Sequence, residues 1–255
     1  MIGVQTKTLE VDPSDPVFFD HPLDHVPGML LIAGLYDHAV ATADVTVSSA
    51  TRARLTLDFT RFCELDSPTV LSCEQSEGPG WRVRAVQGDT EVCTGTIDFI
   101  ANVVRAPRCA EPAPAELVHR ARRENVFVGA VERELRAPVL DLGRDHVYVR
   151  ANPNSRGIIE MIEAGRQFCI LLEHSELGMS VDDAILWQKV TLDLPCQFDR
   201  SARLEFVARK SDRTGRRGLH DLDVIQTCAG LRHGWMSCET YVVTRDRYAA
   251  MRRHV

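Results

Sequence analysis

The sequence predicts an α+β fold built from two similar halves. A long apolar segment of helical length occurs in each half and is followed by segments typical of β-strands. The triplet Thr-Leu-Asp follows each of these helical segments, beginning at Thr56 and again at Thr191. A segment rich in proline and alanine, APRCAEPAPAE at 106–116, separates the halves. Self-similarity of this kind indicates two copies of one structural unit.

The two predicted helices come first in their halves. The segment PGMLLIAGLYDHAVATA begins its helical run after Pro27, and its residues are apolar on nearly every face. The corresponding segment of the second half is SRGIIEMIEAGRQFCILLEHSE. A helix that is apolar all round is usually enclosed by other elements on most sides. We therefore expect each helix to be wrapped by the strands of its half.

Four strands are predicted in each half from runs of β-branched and apolar residues bounded by turn signals. In the first half they are RLTLDFTRF (Arg54 to Phe62), TVLSCEQ, WRVRAVQ and EVCTGTIDF, with a hairpin turn at Gly88 and Asp89. In the second half they are KVTLDLPCQF (Lys189 to Phe198), ARLEFVARK, LHDLDVIQTC and WMSCETYVV. The basic run from Arg209 to His220 is best interpreted as a solvated hairpin, and the alternative is a docking site for an acidic carrier protein or a phosphate.

One central helix enclosed by a curved antiparallel sheet is typical of the hotdog fold. Two such units that pair edge to edge form one continuous sheet, which removes an exposed edge from each. The sequence therefore predicts a double hotdog, a covalent pseudo-dimer. Its first repeat spans residues 1–105, its linker 106–116 and its second repeat 117–255.

Composition restricts the class of protein. The chain has 255 residues, of which 44% are hydrophobic, and its net charge of −6 argues against nucleic-acid or anionic-membrane partners. No apolar run has the length of a membrane span, and the first residues lack a signal-peptide pattern. These features predict a soluble, cytoplasmic protein. The eight cysteines form no CxxC pair, so we expect buried free thiols rather than disulfides or a zinc site.

The loop DHPLDH, Asp20 to His25, is unusually rich in histidine and aspartate and leads into the first helix. From the residue types alone, a hydrogen-bonded loop that caps the helix is the favoured interpretation. A metal site formed by Asp20, His21, Asp24 and His25 is a weaker alternative, because the sequence offers no second cluster of ligands at matching spacing. A catalytic role is the third.

Several blocks in both halves resemble the AfsA-type family of A-factor biosynthesis hotdog proteins. In the first half they are DHPLDHVPGMLL (Asp20 to Leu31) and FTRFCELDSP (Phe59 to Pro68). In the second they are LVHRARRENVFV (Leu117 to Val128) and IEAGRQFCILLEHSELGMSVDDAILW (Ile162 to Trp187). The resemblance implies condensation of a β-ketoacyl thioester with dihydroxyacetone phosphate, the opening step of γ-butyrolactone signal biosynthesis in actinobacteria.

The chain departs from that family pattern in two ways. The two hotdog halves occur in swapped order, which in a pseudo-symmetric dimer reroutes only the linker. The helix behind the DHP loop also lacks the family's Glu-Ala-x-Arg-Gln set, because Ala33, Tyr36 and Asp37 stand at the Glu, Arg and Gln positions. The second half keeps the set as Glu163, Arg166 and Gln167.

The stretch FFDHPLDHVPGML also resembles the active-site segment of β-hydroxyacyl thioester dehydratases, where a loop histidine and a helix acid come from opposite units. This resemblance places His21 at the histidine and Glu163 at the acid. We therefore expect one composite site, in which His21 faces Glu163 across the interface, with Arg166 beside it. The other site, Ala33 facing Asn152 or Ser155, would be inactive. The alternative for Glu163 and Arg166 is an ordinary helix salt bridge at i, i+3.

The candidate site has expected chemical properties. A glutamate on a buried helix is desolvated, so we expect the pKa of Glu163 to rise toward neutrality. The backbone N–H groups at the helix start, Gly28 to Leu30, would stabilise negative charge on a thioester carbonyl, and Gly28 would admit the acyl group close to the backbone. The expected substrate-binding residues are Asp20, His25, Gly28, Met29, Gln167 and Tyr36.

Three functions remain open at this point. The first is an AfsA-like enzyme that condenses a β-ketoacyl thioester with a small hydroxylated or phosphorylated co-substrate. The second is a dehydratase, isomerase or cyclase acting on a carrier-bound polyketide or fatty acyl intermediate, and the third is a non-catalytic acyl-binding protein. All three imply an acyl carrier protein or CoA thioester as partner. We expect no cofactor, no metal, and a monomeric pseudo-dimer or a homodimer.

Overall fold

The computed structural model describes residues 3–48, 51–76, 80–101, 112–131, 135–226 and 231–252. Its helices are α1 (Gly28–Ala43), α2 (Val147–Ala151), α3 (Ile158–Ser175) and α4 (Arg245–Arg252), and short 3-10 turns lie at Ala115–Val118 and Arg123–Asn125. Its strands are β1 (Gln5–Thr8), β2 (Thr51–Phe59), β3 (Thr69–Gln75), β4 (Trp81–Gln87), β5 (Thr90–Ala101), β6 (Arg136–Pro138), β7 (Ser155–Gly157), β8 (Ala184–Pro195), β9 (Gln197–Asp199), β10 (Leu204–Thr214), β11 (Arg217–Gln226) and β12 (Leu231–Val243).

Ten of these strands form one antiparallel sheet in the order β1-β3-β4-β5-β2-β8-β12-β11-β10-β6. The two halves of the sequence meet in the middle of this sheet, where β2 pairs with β8. The repeated Thr-Leu-Asp triplets lie at that seam, and Thr56 is directly opposite Thr191. The predicted α+β double hotdog is therefore confirmed, and its two halves join at the strands that carry the repeated triplet.

Each half wraps its sheet around one central helix. Helix α1 packs on β3, β4 and β5, and helix α3 packs on β8, β10, β11 and β12. The two helices also contact each other, so the apolar cores of the halves are continuous. This explains why α1 is apolar nearly all round: a helix enclosed by sheet and by a second helix has little solvent-facing surface to keep polar.

Most predicted elements have the expected positions, and β3 and β4 match the predicted segments residue for residue. The turn between β4 and β5 contains Gly88 with a φ of 55°, as the hairpin signal predicts. The basic run from Arg209 is part of the β10–β11 hairpin. The predicted helix in the second half is wrong at its start. Ser155 to Gly157 form β7, because Gly157 is extended and pairs with Gln197 of β9 before the helix begins.

Other sequence predictions meet the structure only in part. Residues 106–111 of the predicted linker lie outside the described residues. Pro112, within the same linker, forms an isolated bridge to Gly129. The boundaries of the two repeats therefore stay predictions. Six cysteines within the described ranges are buried free thiols, whereas Cys109 and Cys228 lie outside those ranges. No helix in the described part of the chain combines the length and apolar character needed to cross a membrane.

Candidate active site

Glu163 is the centre of a buried network of charged groups on α3. Its Oε1 accepts hydrogen bonds from Arg120 Nη2 at 2.5 Å, Arg166 Nη2 at 2.9 Å and Gln167 Nε2 at 2.7 Å. Its Oε2 accepts a further hydrogen bond from Arg166 Nε at 2.8 Å. The i, i+3 and i, i+4 spacing of Glu163, Arg166 and Gln167 places all three on one helix face. Glu163 is 1% exposed, so its charge is neutralised by protein and not by water.

The two arginines determine the charge state of Glu163. Burial by itself would raise the pKa of Glu163, but Arg120 and Arg166 outweigh burial, and the pKa is lowered to about 2. The expectation of a raised pKa is therefore wrong. The sequence shows that the helix is buried but not that Arg120 reaches Glu163. Glu163 is ionised at neutral pH, and with two cationic partners the cluster carries a net positive charge.

The segment between Arg120 and Phe127 connects this cluster to the first half. Gln167 Nε2 donates to the backbone oxygen of Asn125, and Gln167 Oε1 accepts from the backbone N–H of Phe127, both at 2.7 Å. Asn125 Nδ2 in turn donates to Asp20 Oδ1 at 2.6 Å. Asp20 Oδ2 accepts from the backbone N–H of Ala121 at 2.6 Å. Asp20 therefore anchors the DHPLDH loop of the first half to the segment that holds Glu163 in the second.

This anchoring brings His21 to the charged cluster. His21 follows Asp20 directly, its side chain is exposed, and it interacts electrostatically with both Arg120 and Arg166. Partial removal of water lowers the pKa of His21, and the two arginines add to this effect against the opposing charge of Asp20. His21 forms no hydrogen bond to Glu163. His21 is thus within electrostatic range of the two guanidinium groups and is not bonded to the carboxylate.

His25 has different surroundings from His21. Its Nδ1 donates to Asp24 Oδ1 at 2.8 Å, and the Tyr248 hydroxyl of α4 donates to the same carboxylate oxygen at 3.0 Å. The ring also contacts Phe62 edge-on, at 5.3 Å between centroids. Asp20 points toward Asn125 instead, so the loop does not converge on one point. Within the described ranges, no group of three or more His, Cys, Asp or Glu side chains could hold a metal ion.

The start of α1 offers two free backbone donors. Its N-cap residue is Pro27, and no side chain caps it, so the capping role favoured from residue types is wrong. The Leu30 N–H bonds to the Pro27 oxygen at 2.9 Å, which leaves Gly28 and Met29 as the donors without a partner in the described structure. The Met29 side chain is buried in the core, so only its backbone can face a ligand.

The matching face of α1 has no charged cluster. Ala33 stands at the same distance from the start of α1 as Glu163 from the start of α3. Tyr36, in the place of Arg166, is buried with its hydroxyl beside Cys196 and its ring 6.0 Å from Phe99, and burial raises its pKa. None of these contacts involves Glu163. Asp37, in the place of Gln167, is exposed.

Three side chains of this region could not be identified from the sequence: Arg120, His119 and His174. His119 precedes Arg120 and has a φ of 51°, unusual for a residue with a side chain. Its Nε2 is 2.9 Å from His174 Nε2, and His174 Nδ1 is 3.1 Å from the Met179 oxygen. Burial, His174, Arg166 and His21 lower the pKa of His119 to about 3. The block LVHRARRENVFV contains His119 and Arg120, but nothing in its spacing indicates their partners.

Comparisons with known proteins identify the family and the fold. The family model for the A-factor biosynthesis hotdog domain matches residues 4–97 and 101–225, one match in each half. A 2-oxo-3-(phosphooxy)propyl 3-oxoalkanoate synthase from Streptomyces virginiae is 41% identical over 66 residues, which are 26% of this chain and 22% of that protein. The match therefore spans about a fifth of the curated relative.

Solved structures that share this fold include dehydratase domains and an acyl-CoA thioesterase. The dehydratase domain of RzxB from Pseudomonas fluorescens aligns over 92% of this chain and 93% of its own, with a TM-score of 0.61 and 10% identity. The dehydratase domain of PpsC from Mycobacterium tuberculosis, solved with C12:1-CoA, aligns over 94% and 93% with a TM-score of 0.60 and 15% identity. The acyl-CoA thioesterase II TesB2 from Mycobacterium marinum aligns over 85% and 89%, with a TM-score of 0.52 and 17% identity. At these identities the likeness shows the fold alone.

Proposed function

The chain belongs to the AfsA family of A-factor biosynthesis hotdog domains, and we propose that it transfers a β-ketoacyl group from a thioester to the hydroxyl of a small phosphorylated co-substrate. The observation that carries this proposal is the net positive cluster of Glu163, Arg120 and Arg166. The name of the Streptomyces virginiae relative describes a product with both a 3-oxoalkanoate ester and a phosphooxy group. A site for this chemistry needs a cation for the phosphate and donors for the thioester carbonyl.

Arg166 is the group that we propose for the phosphate. Glu163 neutralises one of the two guanidinium charges, which leaves one positive charge available to a ligand. Arg120 is almost fully buried and bonds the Val17 oxygen at 3.0 Å through its other terminal nitrogen, whereas the Arg166 side chain is 19% exposed. A guanidinium held in one orientation matches the oxygen atoms of a phosphate. Glu163 therefore acts as the positioning residue for both arginines and exchanges no proton near neutral pH.

His21 and the start of α1 are the groups that we propose for the acyl half of the reaction. The lowered pKa of His21 keeps its imidazole neutral, so it can donate a hydrogen bond without carrying charge. The free N–H groups of Gly28 and Met29 lie at the helix terminus that the DHPLDH loop leads into. Together they would stabilise the oxyanion that forms when the hydroxyl attacks the thioester carbonyl. The thioester arrives on an acyl carrier protein or on CoA.

We propose a single active site per chain, because only one of the two central helices carries the charged residues. Ala33 cannot hold arginines in the way that Glu163 does, and Tyr36 is directed toward Cys196. One cluster, built from the DHPLDH loop of the first half and α3 of the second, is enough for the proposed reaction. We therefore keep one composite site, in which His21 interacts electrostatically with Arg166 and is not bonded to Glu163.

A mass-spectrometric turnover assay tests the proposal. The purified protein receives β-ketoacyl and β-hydroxyacyl thioesters, each with and without dihydroxyacetone phosphate. We expect an ester product that depends on the phosphate and a fall in kcat/KM of about 100-fold or more in Arg166→Gln, because a charge-assisted bidentate contact is lost. Arg150→Gln, an exposed arginine on α2, is the matched control and should keep wild-type turnover.

Other outcomes of the same assay would replace the proposal. Loss of water from the β-hydroxyacyl thioester without the phosphate would assign the chain to a dehydratase-type reaction, the second candidate, which the fold of RzxB and PpsC supports. The low pKa of Glu163 opposes that candidate, since an ionised carboxylate cannot donate a proton. Binding of thioester with no turnover would leave a non-catalytic acyl-binding protein.

A further inference from the structure

The proposed acyl transfer requires a group that accepts a proton. A hydroxyl that attacks a thioester carbonyl must lose its proton on the way to the ester. Glu163 is paired with two arginines, and we have placed His21 at the carbonyl oxygen. Neither His119 nor His174 has a role so far. His119 directly precedes Arg120, and it interacts electrostatically with Arg166 and His21.

The hydrogen bonds of this pair define which nitrogen carries each proton. A backbone oxygen can only accept, so His174 Nδ1 must donate to the Met179 oxygen at 3.1 Å. In the neutral imidazole, His174 Nε2 is then the acceptor. His119 Nε2, at 2.9 Å, must donate to it, and His119 Nδ1 is left with a lone pair. That Nδ1 has no hydrogen-bond partner among the described residues. The pair thus has one unprotonated nitrogen without a partner, His119 Nδ1, and a second ring, His174, that can accept a proton from His119 Nε2.

We propose that His119 Nδ1 takes the proton of the co-substrate hydroxyl while His119 Nε2 passes its own proton to His174 Nε2. The identity of the proton donor rests on the proposed function, whereas the relay is a property of the two histidines. His119 is then a further catalytic residue of the site, and His174 is the positioning residue that orients it and stores the proton.

The charges around the pair favour a relay over simple protonation of His119. Arg166 on α3 and His21 on the DHPLDH loop both act electrostatically on His119, and a cation on its ring would be repelled by the guanidinium. His174 lies in the last turn of α3, where the helix dipole favours a positive charge, and the Met179 oxygen accepts its Nδ1–H. Moving the proton one ring further therefore places the charge where the fold stabilises it.

The backbone at His119 is consistent with a functional constraint. Its positive φ is a conformation that residues with a side chain rarely adopt, and such conformations cost free energy and cluster at functional sites. The turn follows the 3-10 helix Ala115–Val118 and directs consecutive side chains to two partners on α3. His119 reaches His174 at the end of the helix, and Arg120 reaches Glu163 nearer its start. One strained residue therefore connects the relay to the anion site.

The proton and electron balance closes over one turnover. The hydroxyl O–H bond breaks, a proton is bound at His119 Nδ1, and the Nε2 proton of His119 moves to His174 Nε2. The hydroxyl oxygen forms its bond to the carbonyl carbon, and the C–S bond then breaks with its electron pair on sulfur. The thiolate recovers a proton from His119 Nδ1, His174 returns its extra proton to His119 Nε2, and both rings regain their starting state.

Nitrogen-15 NMR of the histidine-labelled full chain tests the relay without any substrate. At neutral pH we expect His119 as the Nε2–H tautomer and His174 as the Nδ1–H tautomer. On acidification, the first proton bound should make His174 doubly protonated while His119 switches to the Nδ1–H tautomer. A doubly protonated His119 beside a neutral His174, or an Nε2–H tautomer of His174 at neutral pH, would overturn the relay. His119→Ala assigns the signals.

His174→Gln tests the catalytic part. A glutamine oxygen can accept the His119 Nε2–H bond but cannot bind a proton, so the orientation of His119 is kept and the relay is lost. We expect kcat to fall about 100-fold or more with little change in KM. His233→Gln replaces another buried histidine, bonded to Gln226, and should leave kcat unchanged. Wild-type kcat in His174→Gln would overturn the relay and leave the proposed acyl transfer standing.

The two proposals fail separately. If the wild-type protein gives no acyl transfer but shows the expected NMR titration, the proposed function is wrong and the proton path of the pair stands. If acyl transfer occurs but the titration places both protons on His119, the function stands and the relay is wrong.

Discussion

Arg120 and Glu163 form a salt bridge in which both side chains are almost completely excluded from solvent. The Arg120 side chain is 6% exposed and that of Glu163 is 2% exposed, and the two groups are 2.5 Å apart. Arg120 lies on an irregular segment between short turns, and Glu163 on the central helix of the second half. The pair therefore adds a buried charge contact to the hydrogen bonds that Asp20 and Gln167 make with the same segment.

Removal of the Glu163 charge should destabilise the protein strongly. Glu163→Gln leaves two guanidinium groups without their carboxylate, and breaking a buried ion pair costs about 3–5 kcal/mol. The free energy of unfolding from urea denaturation at neutral pH measures this effect. Glu176→Gln, at an exposed position just after the same helix, is the control and should change stability by less than about 0.5 kcal/mol. Equal effects of the two substitutions would contradict the buried charge cluster.

Acid should destabilise the protein through the same group. The pKa of Glu163 is lowered from 4.5 to about 2 on folding, so its contribution to stability is complete above pH 4.5 and is lost as the pH falls toward 2. We expect the free energy of unfolding of the wild-type protein to decrease across this window. Glu163→Gln should show a shallower decrease there. Parallel curves for the two proteins would show that Glu163 ionises normally in the folded state.

Asp20→Ala should weaken the connection between the halves. The carboxylate accepts hydrogen bonds from Asn125 and Ala121, and its loss leaves buried donors unpaired at about 1–3 kcal/mol. Because Asp20 positions the neighbouring His21, turnover should fall beyond the loss of folded protein. Stability and kcat/KM are measured at a temperature where the variant is fully folded. Asp182→Ala, an exposed aspartate, should change neither quantity.

A second buried pair should have the opposite pH dependence. Burial by itself would lower the pKa of His220, but Cys169 and the bond from its Nε2 to Glu173 Oε1 at 3.0 Å raise it. Its contribution to stability is therefore complete below the unfolded pKa of 6.5 and is lost as the pH rises through the folded value. His220→Gln should destabilise the protein more at about pH 5.5 than at about pH 8.5. A constant difference would mean that the ring stays neutral throughout.

The fold could be predicted from the sequence because its main elements carry strong local patterns. Helix α1 is marked by a continuous apolar run, and strands β3 and β4 are marked by alternation of buried and more exposed residues. The short strands β1, β6 and β7 have no such pattern, because each is held by a partner from a distant part of the chain. Ser155 to Gly157 looked like the start of a helix, and only pairing with β9 makes them a strand.

Residue spacing alone could predict neighbours in the candidate site only where they share one helix, whereas His21 is assigned to the site by resemblance. Glu163, Arg166 and Gln167 lie on one face of α3 by their spacing alone. Arg120 and His119 come from a separate segment, and nothing in their local sequence specifies contacts with α3. The wrong pKa expectation for Glu163 has the same origin, since burial is visible in the pattern of the helix and a distant arginine is not.

The position of the β2–β8 seam also affects how the protein is made. During synthesis, β2 leaves the ribosome with one edge unpaired, and its partner β8 follows only after the rest of the first half and helix α3. An unpaired strand edge is a template for pairing with another chain. Until β8 is made, the nascent first half is therefore exposed to aggregation, and chaperone demand should be greatest in that interval.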